Sequence, residues 1–151
     1  MVESNGRAYL VADSMKGSRI PAIHSSKYDY KDMLPRDSVD SFSFVYIPGR
    51  YDFVNFDSSN ISQVADVDFD VIFFGDLRKI TVDPHEISTS EMIVEAIKKL
   101  TELGGLKVLG VEDQNREVYA QFSADIETKY FMWPFCLFRL KLNWYFDTNI
   151  C

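Results

Sequence analysis

The chain has 151 residues, 46% of them hydrophobic and 15% aromatic, so a single folded domain over residues 1–151 is expected. Its net charge of −7 argues against specific nucleic-acid binding, which needs Lys and Arg to replace phosphate counterions. The two cysteines, Cys136 and Cys151, are too few for a disulfide framework, and no apolar run reaches the roughly 20 residues of a membrane helix.

Residues 1–40 are predicted to be an irregular N-terminal segment or arm that precedes an α+β core over 41–151. The pattern permits two short strands, over 7–12 and 19–24, and the second is interrupted by Pro21. A long polar loop is predicted over 25–40. Apolar side chains in this loop are candidate contacts with a neighbouring molecule, although packing on their own domain is the commoner arrangement. These candidates are Tyr28, Tyr30, Met33 and Leu34.

The core is predicted to contain two hairpins and two further strands. The first hairpin covers 42–56 and turns at Pro48–Gly49, because Pro and Gly fit the central positions of a type II turn. A strand follows over 66–76, where apolar and acidic residues alternate before both faces become apolar. The second hairpin covers 108–122, and an alternating final strand covers 136–146.

One amphipathic helix is predicted over 88–103. Ser88 and Glu91 have the spacing of a capping box, and Gly104–Gly105 offers a left-handed stop. Apolar residues between these ends form one stripe, which has to be buried against one face of a sheet. The predicted fold class is therefore α+β, a mostly antiparallel sheet with this main helix packed on one face.

Carboxylates in the 66–76 strand form the first weak candidate for a metal site. Asp66, Asp68 and Asp70 share a strand face at intervals of about 7 Å and can help to hold a hard cation. A solvated strand face is the commoner outcome for such a row. His85 and Glu86 are the second weak candidate, but no second His follows at the zinc-protease spacing. No metal or cofactor is predicted from these patterns, and no catalytic residue is assigned.

The segment 130–135 is the most unusual apolar cluster in the chain. Aromatic residues dominate cores as well as interfaces, and a core position is favoured by roughly two to one. The candidate interface residues of this segment are Phe131, Met132, Trp133 and Phe135. Cys136 follows in a predicted core strand, so a buried structural thiol is favoured over a nucleophile.

The order of elements from Asp66 onward resembles that of the tail-terminator and head-to-tail joining proteins of long-tailed bacteriophages. The matching pieces are 66–74, 88–103, 108–122 and 136–146. The resemblance implies a non-enzymatic subunit of the virion that forms a ring, often of six copies, and binds other proteins of the tail tube or neck. It also implies that the acidic strand face lies in a lumen or on a surface, where negative charge repels DNA.

Two other classes of function stay open. A small metal- or ligand-binding domain or enzyme would use the acidic strand face, and metal would then raise its melting temperature. A monomeric adaptor would expose the Trp133 region as an aromatic binding patch. Outside a virion, we expect a reducing compartment such as the cytoplasm, because the first residues lack the apolar core of a signal peptide.

Overall fold

A computed structural model describes residues 3–12, 19–26, 29–49, 52–54, 62–83, 87–114, 117–122 and 124–149. The predicted α+β class is confirmed. The strands are β1 (Glu3–Ala12), β2 (Arg19–Ser26), β3 (Asp29–Asp32), β4 (Ser41–Tyr46), β5 (Asp52–Val54), β6 (Ser62–Asp76), β7 (Leu106–Glu112) and β8 (Phe135–Asn149). The helices are α1 (Leu77–Ile80) and α2 (Thr89–Thr101), and a 3-10 turn covers Thr128–Phe131.

The strands form one mixed sheet in the order β3-β2-β1-β4-β6-β8-β7, and β5 also pairs with β6. The strands β1 and β4 run parallel, whereas the other described pairs are antiparallel. The long strands β6 and β8 pair continuously from Ser62↔Asn149 to Asp76↔Phe135. These two strands are interior strands of the sheet, and hydrophobic residues pack on both of their faces.

Each side of the β6–β8 pair carries its own hydrophobic core, because apolar residues occupy both faces of these strands. The side that we call the helix face buries Phe73, Cys136, Phe138, Leu140 and Leu142. The opposite side, the loop face, buries Phe42, Phe44, Ile72, Phe74 and Leu137. Full burial of such a side chain contributes about 1.5–3 kcal/mol relative to its exposure.

The helix α2 has both end signals that the sequence predicts. The Ser88 hydroxyl accepts from the Glu91 backbone N–H at 3.3 Å, and the Glu91 carboxylate accepts from the Ser88 N–H at 2.6 Å. Its apolar stripe contributes the buried Ile93 to the core of the helix face. After the helix, Gly104 and Gly105 take positive φ angles of 69° and 67°, which glycine adopts without a steric penalty. The chain therefore reverses at once into β7.

The segment 1–40 is more regular than predicted, because its described part contains three strands. In place of an irregular arm, β1, β2 and β3 form an antiparallel meander. This meander joins the central sheet through the parallel pairs Arg7↔Val45 and Ala8↔Tyr46. Parallel pairing between distant segments leaves no turn signal in the sequence, which explains why local patterns missed it.

Neither predicted hairpin forms as expected. The strands β4 and β5 do not pair with each other in the described residues; both pair with β6, through Tyr46↔Asp70 and Asp52↔Asp66. Residues 117–122, predicted as a returning strand, form successive turns that bury Val118, Tyr119 and Phe122 in the loop face. The Tyr119 hydroxyl donates to the Met33 carbonyl at 2.7 Å and so ties these turns to the chain after β3.

Candidate protein-binding surface

The predicted acidic row divides into one buried and two exposed carboxylates. Asp70 is only 5% exposed and forms an ion pair with Arg139, which is 2% exposed. Asp66 and Asp68 are exposed and accept hydrogen bonds from the side-chain amide of Asn143, with 2.8 Å between its nitrogen and Asp68 Oδ1. One amide thus bridges two like charges on adjacent positions of one face, whereas Asp70 is part of the core and not of a solvated face.

No group of three or more His, Cys, Asp or Glu side chains could hold a metal ion among the residues that the structure describes. His85 and Glu86, the other predicted candidates, lie outside those residues. Within the described ranges, therefore, the acidic row carries no ready-made cation site.

Cys136 is completely buried on the helix face. Burial raises the pKa of its thiol to about 11, although a hydrogen bond with Thr89 acts in the opposite direction. A thiol with this pKa is protonated at neutral pH and is a weak nucleophile. The geometry agrees with the structural role expected from the sequence.

Two of the predicted interface side chains belong to the core. Met33 is 1% exposed and Phe135 is buried, and both pack in the loop face. Leu34 and Phe131 are partly buried against the same core. These four residues therefore support the fold rather than an exposed interface, and Tyr28 lies outside the described residues.

The remaining three interface candidates are exposed: Tyr30 on β3, and Met132 and Trp133 in the turn before β8. Met132 is 62% exposed and Trp133 is 54% exposed. We call residues 132–134 the Trp133 turn. Exposure of two adjacent large side chains of this type is uncommon on a surface that has no partner, because Trp and Met are enriched at interfaces.

The Trp133 turn is held at both ends by buried aromatic rings. On one side Tyr130 packs edge-on against Phe74 and Phe135, with ring centroids 5.6 and 5.1 Å apart. Within the turn, the Phe135 N–H donates to the Met132 carbonyl at 2.9 Å. The Leu77 N–H donates to the Pro134 carbonyl at the same distance. The exposed side chains thus project from a backbone that is already ordered.

Paired charges surround this turn. Lys129 forms ion pairs with Asp37 at 3.0 Å and Glu127 at 3.2 Å, and Arg78 pairs with Asp76 at 2.8 Å. The hydrogen bond from Lys129 lowers the pKa of Asp37, and the same contact raises the pKa of Lys129. The apolar turn therefore has a polar rim of ion pairs, in which both named cations are paired with carboxylates, and a polar rim is typical of protein interfaces.

Sequence reasoning missed a second exposed surface, on the N-terminal meander. Arg7 lies over the ring of Tyr9 at 5.2 Å from its centroid, and His24 packs edge-on against Tyr30 at 5.3 Å. The alternation of Arg7, Tyr9 and Val11 is a strand signal that the sequence offers. The pairing of this strand with β4, which fixes the side of the sheet on which these residues lie, cannot be predicted from local sequence.

Comparison of the chain with models of protein families, with curated proteins and with solved structures found no match. No described helix has the length and apolar character needed to cross a membrane. Function is therefore inferred from the geometry of the chain's own residues.

Proposed function

We propose that the chain is a non-enzymatic assembly subunit that acts through protein–protein contacts. The observation that carries this proposal is the Trp133 turn, where Met132 and Trp133 are exposed between the buried rings of Tyr130 and Phe135. Side chains on an ordered backbone lose little conformational freedom on binding, which makes them effective anchors. The ion pairs of the rim add a polar border that water can reach.

The edges of the sheet favour contacts between copies through side chains over contacts through strand pairing. The edge strand β3 has only four residues, and three of them, Asp29, Lys31 and Asp32, are charged. The other edge strand, β7, has an irregular register between Val108 and Gly110. Short length, charge and bulges are the features that protect sheet edges from pairing with another chain.

The finer form of the proposal follows the bacteriophage resemblance. In that form the chain is a tail-terminator or neck subunit, built as a mostly antiparallel sheet with the 88–103 helix on one face, that forms a ring and contacts other virion proteins. The order β6, α2, β7, β8 supports it, although turns over 117–122 replace the returning strand of the expected hairpin. A cyclic ring requires two different surfaces on each copy that close by rotation.

Two of the groups that an enzyme could use are engaged in structural contacts. Asp70 neutralises a buried Arg139, and Cys136 is a protonated core thiol. The acidic face is therefore a less favoured candidate for ligand chemistry than the Trp133 turn is for protein contact.

The proposal is tested by truncating Trp133 and following assembly. We expect W133A to assemble at concentrations at least about tenfold above those of the wild type, since loss of an anchor of about 1.4 kcal/mol or more changes affinity by that factor. L103A is the matched control, because Leu103 is an exposed apolar residue outside the turn. Sedimentation velocity reports the masses, and urea unfolding checks that both variants fold. Equal assembly of W133A and L103A would contradict the proposal.

A further inference from the structure

Charge is unevenly distributed along the chain. Residues 1–32 contain five Lys or Arg and four Asp or Glu, whereas residues 33–151 contain eleven and nineteen. The N-terminal part is thus slightly positive, and the remainder carries the whole negative charge. A contact between the N-terminal part of one copy and the rest of another therefore avoids bringing two negatively charged regions together.

The N-terminal meander presents a surface with one exposed cation and two exposed tyrosine rings, which we call the Tyr9 face. It consists of Arg7, Tyr9, His24 and Tyr30, all exposed. Register places Arg7 opposite Val45 and Val45 opposite Val71, so the Tyr9 face lies on the same side of the sheet as the helix face. The helix α2 packs on β7 and β8, at the opposite end of the strand order from the meander.

The complementary surface lies on the opposite side of the sheet. Asp66 and Asp68 on β6 and Tyr145 on β8 are exposed there, and Asp66 pairs directly with Tyr145 in the register. We call these three residues the acid strip. The bridging amide of Asn143 holds the two carboxylates side by side. The strip therefore offers two fixed negative charges next to one aromatic ring.

We propose that the Tyr9 face of one copy docks on the acid strip of a second copy. Arg7 would meet the carboxylates of Asp66 and Asp68, and Tyr9 and Tyr30 would pack against Tyr145. Such a contact removes like-charge repulsion and adds aromatic pairing. This inference rests on the proposed assembly function and names the partner and the surfaces.

The location of the two surfaces sets the geometry of assembly. They lie on opposite faces of the sheet and on different strands, so each copy can use both at once with two different neighbours. The contact is heterologous, and heterologous contacts generate closed rings when the rotation closes and filaments when it does not. Charge directs which surfaces meet.

Charge reversal on each side, followed by mixing, tests this docking. R7E alone and D66K/D68K alone should each need at least about tenfold higher concentration for half-assembly than the wild type. A 1:1 mixture should recover assembly, because the reversed face of one variant matches the reversed strip of the other. K98E and E95K/E117K, which change exposed charges elsewhere, are the charge-matched controls.

Light scattering measures the masses, and thermal unfolding verifies that each variant folds. If a charge-reversal variant does not fold, R7A or D66N/D68N replaces it, because these variants remove the charge without reversing it. Recovery in the mixture supports the docking. Wild-type assembly by both variants, or no recovery on mixing, overturns it, and the proposed function still stands if W133A weakens assembly. A wild-type chain that stays monomeric at all concentrations overturns both.

Discussion

Asp70 and Arg139 form a buried ion pair across β6 and β8. Arg139 also donates from Nη1 to the Val118 carbonyl at 3.4 Å and so ties the 117–122 turns to the sheet. Its Nε has no hydrogen-bond partner in the described part of the chain. Because burial desolvates both charges, each depends on the other for its stability in the core.

Removal of only one partner should therefore be costly. We expect D70A to lower the free energy of unfolding by about 3–5 kcal/mol, because it leaves the Arg139 charge buried and unpaired. The double variant D70L/R139M should be far closer to the wild type, since apolar residues of similar volume replace both charges. K141M, which breaks the more exposed pair of Lys141 with Glu112, should cost about 1 kcal/mol or less. Urea denaturation measures all three, and a D70A cost as small as that of K141M would contradict the expectation.

The two glycines after α2 should respond differently to Ala. At both positions the positive φ costs an L-residue about 1–2 kcal/mol. At Gly105 an added Cβ would also lie 2.6 Å from the Tyr145 carbonyl oxygen, whereas nothing lies within 4 Å of one at Gly104. The Tyr145 N–H donates to the Gly105 carbonyl at 3.1 Å, so the two backbones cannot easily separate. G105A should therefore unfold at lower urea than G104A, and equal midpoints would show that the close approach is absent.

The capping box at Ser88 should contribute to the stability of α2. S88A removes the oxygen that accepts from the Glu91 N–H and should cost about 1 kcal/mol. S90A is the control, because Ser90 is exposed within the first turn of the helix. Chemical denaturation of both variants checks this expectation. Similar costs at the two serines would indicate that the cap does not form in solution.

Acid should remove part of the stability through Asp76. The Arg78 side chain donates to this buried carboxylate and lowers its pKa below the ordinary value, despite the opposing effect of burial. A carboxyl whose pKa is depressed on folding stabilises the protein above its unfolded pKa and loses that effect as the pH falls through its folded pKa. D76N keeps an N-cap side chain for α1 but not the charge.

The unfolding free energies of wild type and D76N should consequently differ at pH 7 and converge below about pH 4. D113N, a change at an exposed carboxyl, serves as the control. Thermal unfolding across this pH range gives the comparison. A D76N deficit that is equally large at pH 7 and at about pH 3 would assign the effect to packing instead of charge.

Local signals predicted the elements whose causes are local. Ser88 and Glu91 form the cap that begins α2, and the two glycines follow its end. Alternation of apolar and polar residues predicts β6 and β8, and these strands pair with each other continuously. The α+β class follows from these three elements. Pro48–Gly49, by contrast, carried a turn signal that tertiary pairing overrode, since β4 and β5 both pair with β6.

The candidate surface was predictable only in part. The aromatic content of 130–135 identified the right segment, but sequence could not separate the exposed Met132 and Trp133 from the buried Phe135. That division depends on Phe74, which lies on β6, far from this segment in sequence, and packs against Tyr130. The burial of Asp70 was missed for the same reason, because its partner Arg139 lies on β8.

Self-assembly of the chain is tested by its absolute mass in solution. Light scattering after gel filtration at two concentrations gives the absolute mass without a shape assumption. We predict a closed oligomer of roughly six times the 17.4 kDa chain, with the same mass at both concentrations. A mass of 17.4 kDa at both concentrations would contradict self-assembly and favour a monomeric adaptor that uses the Trp133 turn.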